Sequence, residues 1–247
     1  MRVAALAALF AAVTCGQTQN QVFSLSQTDT PQQGQEVVNA LRMIDDLSQV
    51  SADFQARTVT ASGTADQMLL AAWLVKLLET PGSGKQEYTV PGVVDDNRRG
   101  SGGQVRVIYL SQTLNPRDIQ ELVNAIRTVS DIAKIYQVNK VHAIAMRATA
   151  DHIAAAEWIV SMLDRQPGAA ASVATFTAAG VLPPDTTAVR VFYQPEATSE
   201  EDLKQSSGAI RSQTRALRVY PVFFPRAIVL RGTTVQASQA ESMIAKH

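Results

Sequence analysis

One segment of about sixty residues occurs three times in this chain, at offsets of 85 and then 84 residues and without internal gaps. The first two copies align Glu36–Arg42 with Glu121–Arg127, and the last two align Val105–Tyr109 with Val189–Tyr193. A repeat at a fixed period indicates tandem copies of one small structural unit. Fold and function must therefore be explained at the level of that unit.

The repeat divides the 247 residues into three modules and two connecting segments. We place module 1 at residues 20–79, module 2 at 104–164 and module 3 at 188–247, with linkers at 80–103 and 165–187. A module of about sixty residues has a small core and is marginally stable alone. Because the offsets have no gaps within a copy, we expect each module to fold as its own unit.

The two linkers differ in composition. Residues 80–103 hold six glycines and two prolines, which favours a flexible connection. Residues 165–187 are rich in alanine and contain Pro183–Pro184, which stiffens the chain. The apolar stretch Val173–Leu182 offers an alternative, in which part of this second linker packs on a module as an added strand.

Each module follows the order strand, helix, strand, strand, helix, so we predict an α+β fold of three βαββα modules, each with a three-stranded sheet and two helices. Helix N-cap residues mark the start of the first helix in every copy: Thr30, Asn115 and Ser199. A threonine marks the second helix in every copy: Thr64, Thr149 and Thr233. Pro221 falls in the second strand of module 3, and proline cannot donate to a ladder on both sides. The second strand is therefore predicted at a sheet edge and the third in the middle.

The N-terminal residues 1–19 have the features of a secretory signal peptide. Arg2 provides the positive charge, and Val3–Val13 is an apolar run too short to span a bilayer. This predicts a periplasmic protein. The single cysteine, Cys15, excludes a disulfide within the mature chain. Cleavage near Gly16 and lipidation of Cys15 both remain open, and the second would attach the chain to the outer membrane.

The charge balance limits the class of partner. With 22 basic and 22 acidic residues the formal net charge is zero, so no overall field attracts nucleic acid or an anionic membrane surface. This favours protein partners.

Sister copies provide an internal control for residues with possible chemical roles. His142 aligns with Arg57 and Arg226, whereas His152 aligns with Gln67 and Gln236. His247 is the last residue. We therefore expect solvated or capping roles for the histidines, and we predict no catalytic, metal or cofactor-binding residues.

Other motifs also have structural explanations. The acidic pairs Asp45–Asp46 and Asp95–Asp96 have no histidine partner, and Glu200–Asp202 suits the first turn of a helix. Gly100–Gly103 precedes a strand and lacks the Lys-Ser/Thr pair of a phosphate loop. Trp73 and Trp158 occupy equivalent helix positions, so we expect them to serve core or intermodule packing.

Two stretches resemble the periplasmic N-domains of secretins, also called NolW-like or secretin short domains. They are Arg226–Thr233, which precedes a helix, and Ala143–Asp164 with its Met162-Leu163-Asp164 end. The resemblance implies a small α+β domain that stacks with copies of itself in rings and binds envelope components without catalysis. The chain ends at His247, where a secretin would continue into its β-rich gate, so pore formation is not implied.

The sequence thus predicts a non-catalytic exported interaction protein, part of or accessory to a secretion or type IV pilus complex. Its partners are expected to be protein components of the cell envelope or other copies of itself. An exported peptide-binding module is the alternative, because a sheet edge accepts an extended strand without distinctive residues. A KH-like nucleic-acid module is disfavoured, since it needs a Gly-x-x-Gly loop and a basic face.

Overall fold

The computed structural model describes residues 18–94, 102–166, 173–177, 186–197 and 199–245. Six α-helices alternate with three small antiparallel sheets in this part of the chain, which confirms the predicted α+β class. Module 1 contains β1 (Gln19–Ser24), α1 (Pro31–Asp45), β2 (Gln49–Asp53), β3 (Thr58–Gly63) and α2 (Ala65–Glu79).

The other two modules repeat this order, each preceded by one more strand. Module 2 comprises β4 (Lys85–Thr89), β5 (Gln104–Tyr109), α3 (Pro116–Val129), β6 (Lys134–Val138), β7 (Ala143–Ala148) and α4 (Ala150–Leu163). A short 3-10 helix, Asn139–Val141, joins β6 to β7. Module 3 comprises β8 (Val173–Thr177), β9 (Ala188–Tyr193), α5 (Glu200–Thr214), β10 (Arg218–Val222), β11 (Ala227–Gly232) and α6 (Thr234–Ile244).

The strand orders are β1-β3-β2, β4-β5-β7-β6 and β10-β11-β9-β8. The third strand of each repeat lies between the other two, and β10 with Pro221 lies at an edge, both as predicted. The prediction of three strands per module is wrong for modules 2 and 3, whose sheets have four. Lys85–Thr89 forms β4, although this segment was expected to be a flexible linker, because its backbone pairs with β5. The alternative of an added strand is confirmed for Val173–Thr177.

The helix starts are fixed by the expected side chains, with one exception. Thr30, Asn115 and Ser199 each accept a backbone N–H of the first turn. Thr64 and Thr233 form capping boxes with Gln67 and Gln236. These caps satisfy N–H groups that have no partner within the helix.

Thr149 differs from its two sister threonines. It occupies the N-cap position of α4, but its side chain makes no cap hydrogen bond. Only 3% of the residue is exposed, and its hydroxyl oxygen has no partner among the described residues. The expectation that the Thr149 side chain caps α4 is therefore wrong. The third helical residue here is His152, which cannot complete the box that glutamine completes in the other copies.

The three modules form a stack in which neighbours share a core. One face of the middle sheet packs on its own helices α3 and α4 through Ile135, Ile144 and Met146. The other face packs on α1 and α2 of module 1; its residues there are Val105, Val107, Val138, Ala143 and Ala145. The sheet of module 3 packs on α3 and α4 in the same way. Helix pairs and sheets thus alternate as layers along the stack.

Candidate interaction surfaces

The surfaces between neighbouring modules are the most elaborate sites in this protein, and we name them junction 1 (modules 1 and 2) and junction 2 (modules 2 and 3). In each, the helices of one module face the sheet of the next. Their polar groups occur in pairs of equivalent residues. The internal repeat therefore determines how the modules pack on one another as well as how each one folds.

Each junction contains an arginine that is largely or fully buried. In junction 1, Arg147 donates from Nη1 to the carbonyl of Ile44, 3.3 Å away, and from Nε to the carbonyl of Gly102 at 2.9 Å. A guanidinium suits this position because its planar fork serves two acceptors in fixed directions.

Arg231 has the corresponding contacts in junction 2. Its Nη1 donates to the carbonyl of Val129 at 3.1 Å and its Nε to that of Thr186 at 3.0 Å. Burial lowers the pKa of Arg231 to about 10, and the nearby charge of Arg218 acts in the same direction. At neutral pH the group remains charged.

An ion pair lies beside each arginine. Asp46 pairs with Lys134 in junction 1, and the equivalent Asp131 accepts from Arg218 at 2.8 Å in junction 2. A glutamate in the second turn of the facing helix adds a further contact: Glu36 accepts the Lys140 backbone N–H at 3.2 Å. Its counterpart, Glu121, accepts that of Phe223 at 3.1 Å. Acidic groups thus lie on the helix side of both junctions and basic groups on the sheet side.

Aromatic residues complete both junctions. Trp73 of α2 lies 5.4 Å, centroid to centroid, from Tyr88 of β4. Trp158 of α4 stacks on Phe176 of β8 at the same distance. This confirms the expected role of the tryptophans in intermodule packing. A tyrosine hydroxyl donates across each junction, from Tyr109 to the Leu77 carbonyl at 2.9 Å and from Tyr193 to the Met162 carbonyl at 2.7 Å.

The junction residues are missing from the two outer faces of the stack. In module 1, the positions of Tyr109, Lys134, Tyr136 and Arg147 hold polar uncharged residues: Ser24, Gln49, Ser51 and Ser62. In module 3, the positions of Glu121, Asp131 and Trp158 hold Gln205, Arg215 and Ser242. Repeat proteins need polar faces on their end units. The two ends of this stack therefore do not carry the surfaces that join its modules.

Two acidic residues of junction 1 are buried. Asp45 is almost fully buried, and burial raises its pKa to about 8 against the opposing charge of Arg147. Glu79 accepts from Lys140 Nζ at 2.9 Å, and both side chains are buried. The pair joins the end of α2 to module 2.

Asp164 ends α4 at the position equivalent to Glu79. Burial alone would raise the pKa of Asp164, but the backbone N–H groups of Ser111, Thr113 and Gln112 hold it below its ordinary value. The carboxylate fixes the loop before α3, with contacts of 2.7 to 2.8 Å.

The histidines occupy unlike environments. His142 is exposed and has a φ of 47°, and the equivalent Arg57 and Arg226 also have positive φ. His152 is only 6% exposed, so its expected solvated position is wrong. Its pKa is lowered by burial and by the charge of Arg231. The packing of module 3 against α4 removes it from water.

Some sequence motifs lie outside the described residues, namely His247, Asp95–Asp96, Gly100–Ser101 and the segment 1–17 with Cys15. Within the described part of the chain, no group of three His, Cys, Asp or Glu could hold a metal ion. None of the helices described there is long and apolar enough to cross a membrane.

The 84-residue offset makes Arg147 and Arg231 equivalent residues, but no local pattern indicates that they lie at junctions. The same holds for Asp46 and Asp131. The signal that could have revealed them is the difference between two copies and the remaining one. Ser62 of module 1 replaces the arginine of the other two modules, and Arg215 of module 3 replaces the aspartate. A residue pair present in two copies and absent from one end is typical of an intermodule contact.

Comparison with known proteins gives matches among solved structures only. No protein-family model and no curated protein matches the chain. Aeromonas hydrophila ExeD is 12% identical with a TM-score of 0.22, and the match covers 93% of this chain and 40% of that chain. The type II secretion system secretin GspD of E. coli K12 is 11% identical with a TM-score of 0.21, covering 93% and 39%.

A chain of the ETEC pilotin–secretin AspS–GspD complex is 17% identical with a TM-score of 0.23, covering 92% of this chain and 41% of that chain. This chain thus spans about two fifths of the length of the solved chains that it matches. TM-scores in this range do not establish a common fold, and such identities do not indicate a common function.

Proposed function

We propose that this protein is a non-catalytic, exported protein–protein interaction protein that acts in the bacterial envelope, as part of or accessory to a secretion or type IV pilus complex. The two equivalent junctions are the observation that carries the proposal. Their paired arginines, aspartates, glutamates and tryptophans hold three similar modules in one stack. A chain organised in this way presents sheet edges and helix faces to partners.

The resemblance of Ala143–Asp164 and Arg226–Thr233 to secretin N-domains supports the same role. So do the segment 1–19, with the features of an export signal, and a net charge of zero, which favours protein surfaces over polyanions. The chain associates with the outer membrane through a partner, or through Cys15 if that residue is lipidated.

Peptide binding is the second candidate function. It is favoured by the sheet of module 1, which among the described residues has one strand fewer than the other two. An extended segment of another protein can add to such an edge through backbone hydrogen bonds alone.

Crosslinking of the intact chain in its native envelope tests the proposal. We expect secretion or pilus components, or further copies of the chain, among the crosslinked products. Recovery of uncrosslinked monomer alone, together with a melting temperature independent of protein concentration, would contradict an assembly role.

A further inference from the structure

Among the described residues, the sheet of module 1 lacks the extra edge strand that the sheets of modules 2 and 3 have, and we call the resulting gap beside β1 the notch. In module 2, β4 pairs with the outer edge of β5, and in module 3, β8 pairs with the outer edge of β9. The two added strands share one register, since Tyr88 lies opposite Val105 and Phe176 opposite Val189. In module 1 the strand equivalent to β5 and β9 is β1, which pairs only with β3 among the described residues. We propose that this open edge of β1 binds an extended strand of a partner protein.

The backbone of β1 presents hydrogen-bonding groups to the notch. The N–H of Leu25, just after β1, donates to the carbonyl of Arg57, just before β3, at 2.7 Å. Because these bonds alternate along an antiparallel strand, the N–H groups of Asn20, Val22 and Ser24 point away from β3. The module 2 equivalent of Ser24 shows the same direction, as Tyr109 donates to the carbonyl of Gly84 before β4 at 2.9 Å.

The edge of β1 also lacks the features that discourage pairing. Gln19–Ser24 contains no charged residue and no proline, and such residues are the usual protection of an edge strand. Two apolar side chains near the edge are open to solvent, Val22 at 62% and Leu69 of α2 at 60%. Leu69 is the equivalent of Ala154, which lines the groove beside Lys85 of β4.

The neighbouring residues indicate an uncharged partner strand. In module 2, Lys85 of β4 binds Glu157 at 2.8 Å, and Glu87 pairs with Arg106. Module 1 has Ala72 and Gln21 at the positions of Glu157 and Arg106, so the charges of a strand like β4 would find no partner. A strand like β8 suits this edge better, since its first residue, Val173, packs on the core of module 3.

The position of β4 beside the notch argues against a second copy of the whole stack as the partner. Trp73 packs on Tyr88, so β4 lies over α2 on the same side as the open edge. Two stacks paired directly through β1 would bring the second module of each copy against β4 of the other. A single extended segment avoids this collision and gives all three sheets four strands.

The inference rests on the proposed interaction role and names its surface and its ligand class. Two peptides taken from this chain serve as probes for the intact protein: VATFT, the sequence of β8, and the charged KQEYT, the sequence of β4. The measurement is the amide chemical shifts and hydrogen exchange of β1 in millimolar peptide. We expect VATFT to shift and protect the amides of Val22 and Ser24, and KQEYT to bind about tenfold more weakly.

Substitutions at one position provide the matched control. Val22→Pro removes an N–H that points into the notch and should weaken VATFT binding about tenfold or more, whereas Val22→Thr keeps the N–H and should retain binding. A melting curve checks that Val22→Pro is folded, and a Val22→Lys variant, which retains the ladder, should also bind more weakly.

Three results would overturn the inference. The first is the absence of any response to VATFT, and the second is equal binding by Val22→Pro and Val22→Thr. The third is protection of the Val22 and Ser24 amides without peptide, which would place another segment or another copy on the edge. Envelope crosslinks at other surfaces would leave the proposed function intact in each case.

Discussion

Arg147 and Arg231 lie 84 residues apart and make the same contact in successive junctions, each donating through Nη1 to a main-chain carbonyl in the first helix of the preceding module. Both guanidinium groups are largely shielded from solvent. Each therefore depends on the neighbouring module for one acceptor that water would otherwise provide.

Arg231→Ser tests the contribution of this contact to stability. The substitution leaves the carbonyl oxygens of Val129 and Thr186 without their donor and opens a cavity, so we expect a loss of about 2–4 kcal/mol. Urea unfolding measures it. Arg215→Ser is the matched control, because this arginine is exposed, and its substitution should change stability by no more than about 0.5 kcal/mol. Equal effects of the two variants would contradict the assigned role.

The aromatic contact of junction 2 can be reduced to the residue found at the end of the stack. Trp158→Ser creates the residue that α6 has at the same position, Ser242. Since Trp158 is partly buried and stacks on Phe176, we expect a loss of about 1–3 kcal/mol. Thermal unfolding is the measurement, with exposed Leu217→Ser as the control. An unchanged melting temperature would show that the stacking does not stabilise the junction.

The buried carboxyl of Asp45 gives a pH dependence of defined sign. Burial raises its pKa to about 8, so the folded state binds a proton that the unfolded state has lost above about pH 4. The contribution of Asp45 to stability is then fully present below about pH 4 and is lost as the pH rises through about 8.

Asp45→Asn removes the titration of this group. We expect the variant to be more stable than the wild type at pH 8, with a difference that shrinks as the pH falls towards 4. Melting temperatures across this range measure it, and exposed Asp29→Asn is the control. A difference that grows as the pH falls would contradict the raised pKa.

The two described histidines should respond differently to glutamine. His142→Gln changes an exposed side chain and should be nearly neutral. His152→Gln replaces a buried ring next to junction 2 by the residue that completes the capping box in the other two copies, so we expect the new cap to offset part of the lost packing and the net cost to be about 1 kcal/mol. Chemical denaturation of the two variants checks this. Metal-dependent stabilisation of the wild type that is lost in the double variant would reverse the assignment of structural roles.

The shared cores predict how the chain unfolds. The gapless repeat predicts three independent folding units, which should unfold separately and be cut first by protease within residues 80–103. The packing of the middle sheet on helices of module 1 favours coupled unfolding of these modules instead. Calorimetry distinguishes the two expectations, because coupled modules give one transition and independent modules give several. Early cleavage within Ala125–Leu163 would contradict both.

The elements within each module followed from the sequence because local signals specify them. Thr64 and Gln67, or Ser199 and Asp202, form a cap with neighbours three residues away, so their spacing alone predicts a helix start. Pro221 similarly indicated an edge strand, since it lacks a backbone donor.

The contacts between modules were decided by the tertiary structure. Lys85–Thr89 is polar and has no strong strand signal of its own, yet it is held in a sheet by backbone bonds to β5. Thr149 has the residue type of a cap, but its hydroxyl lies buried without one. Arg147 finds its acceptor, the Ile44 carbonyl, 103 residues away. Such partners meet only when separate modules pack together, and no local pattern specifies them. The sequence by itself therefore determined the repeated unit, whereas the stack and its open edge at β1 depended on long-range packing.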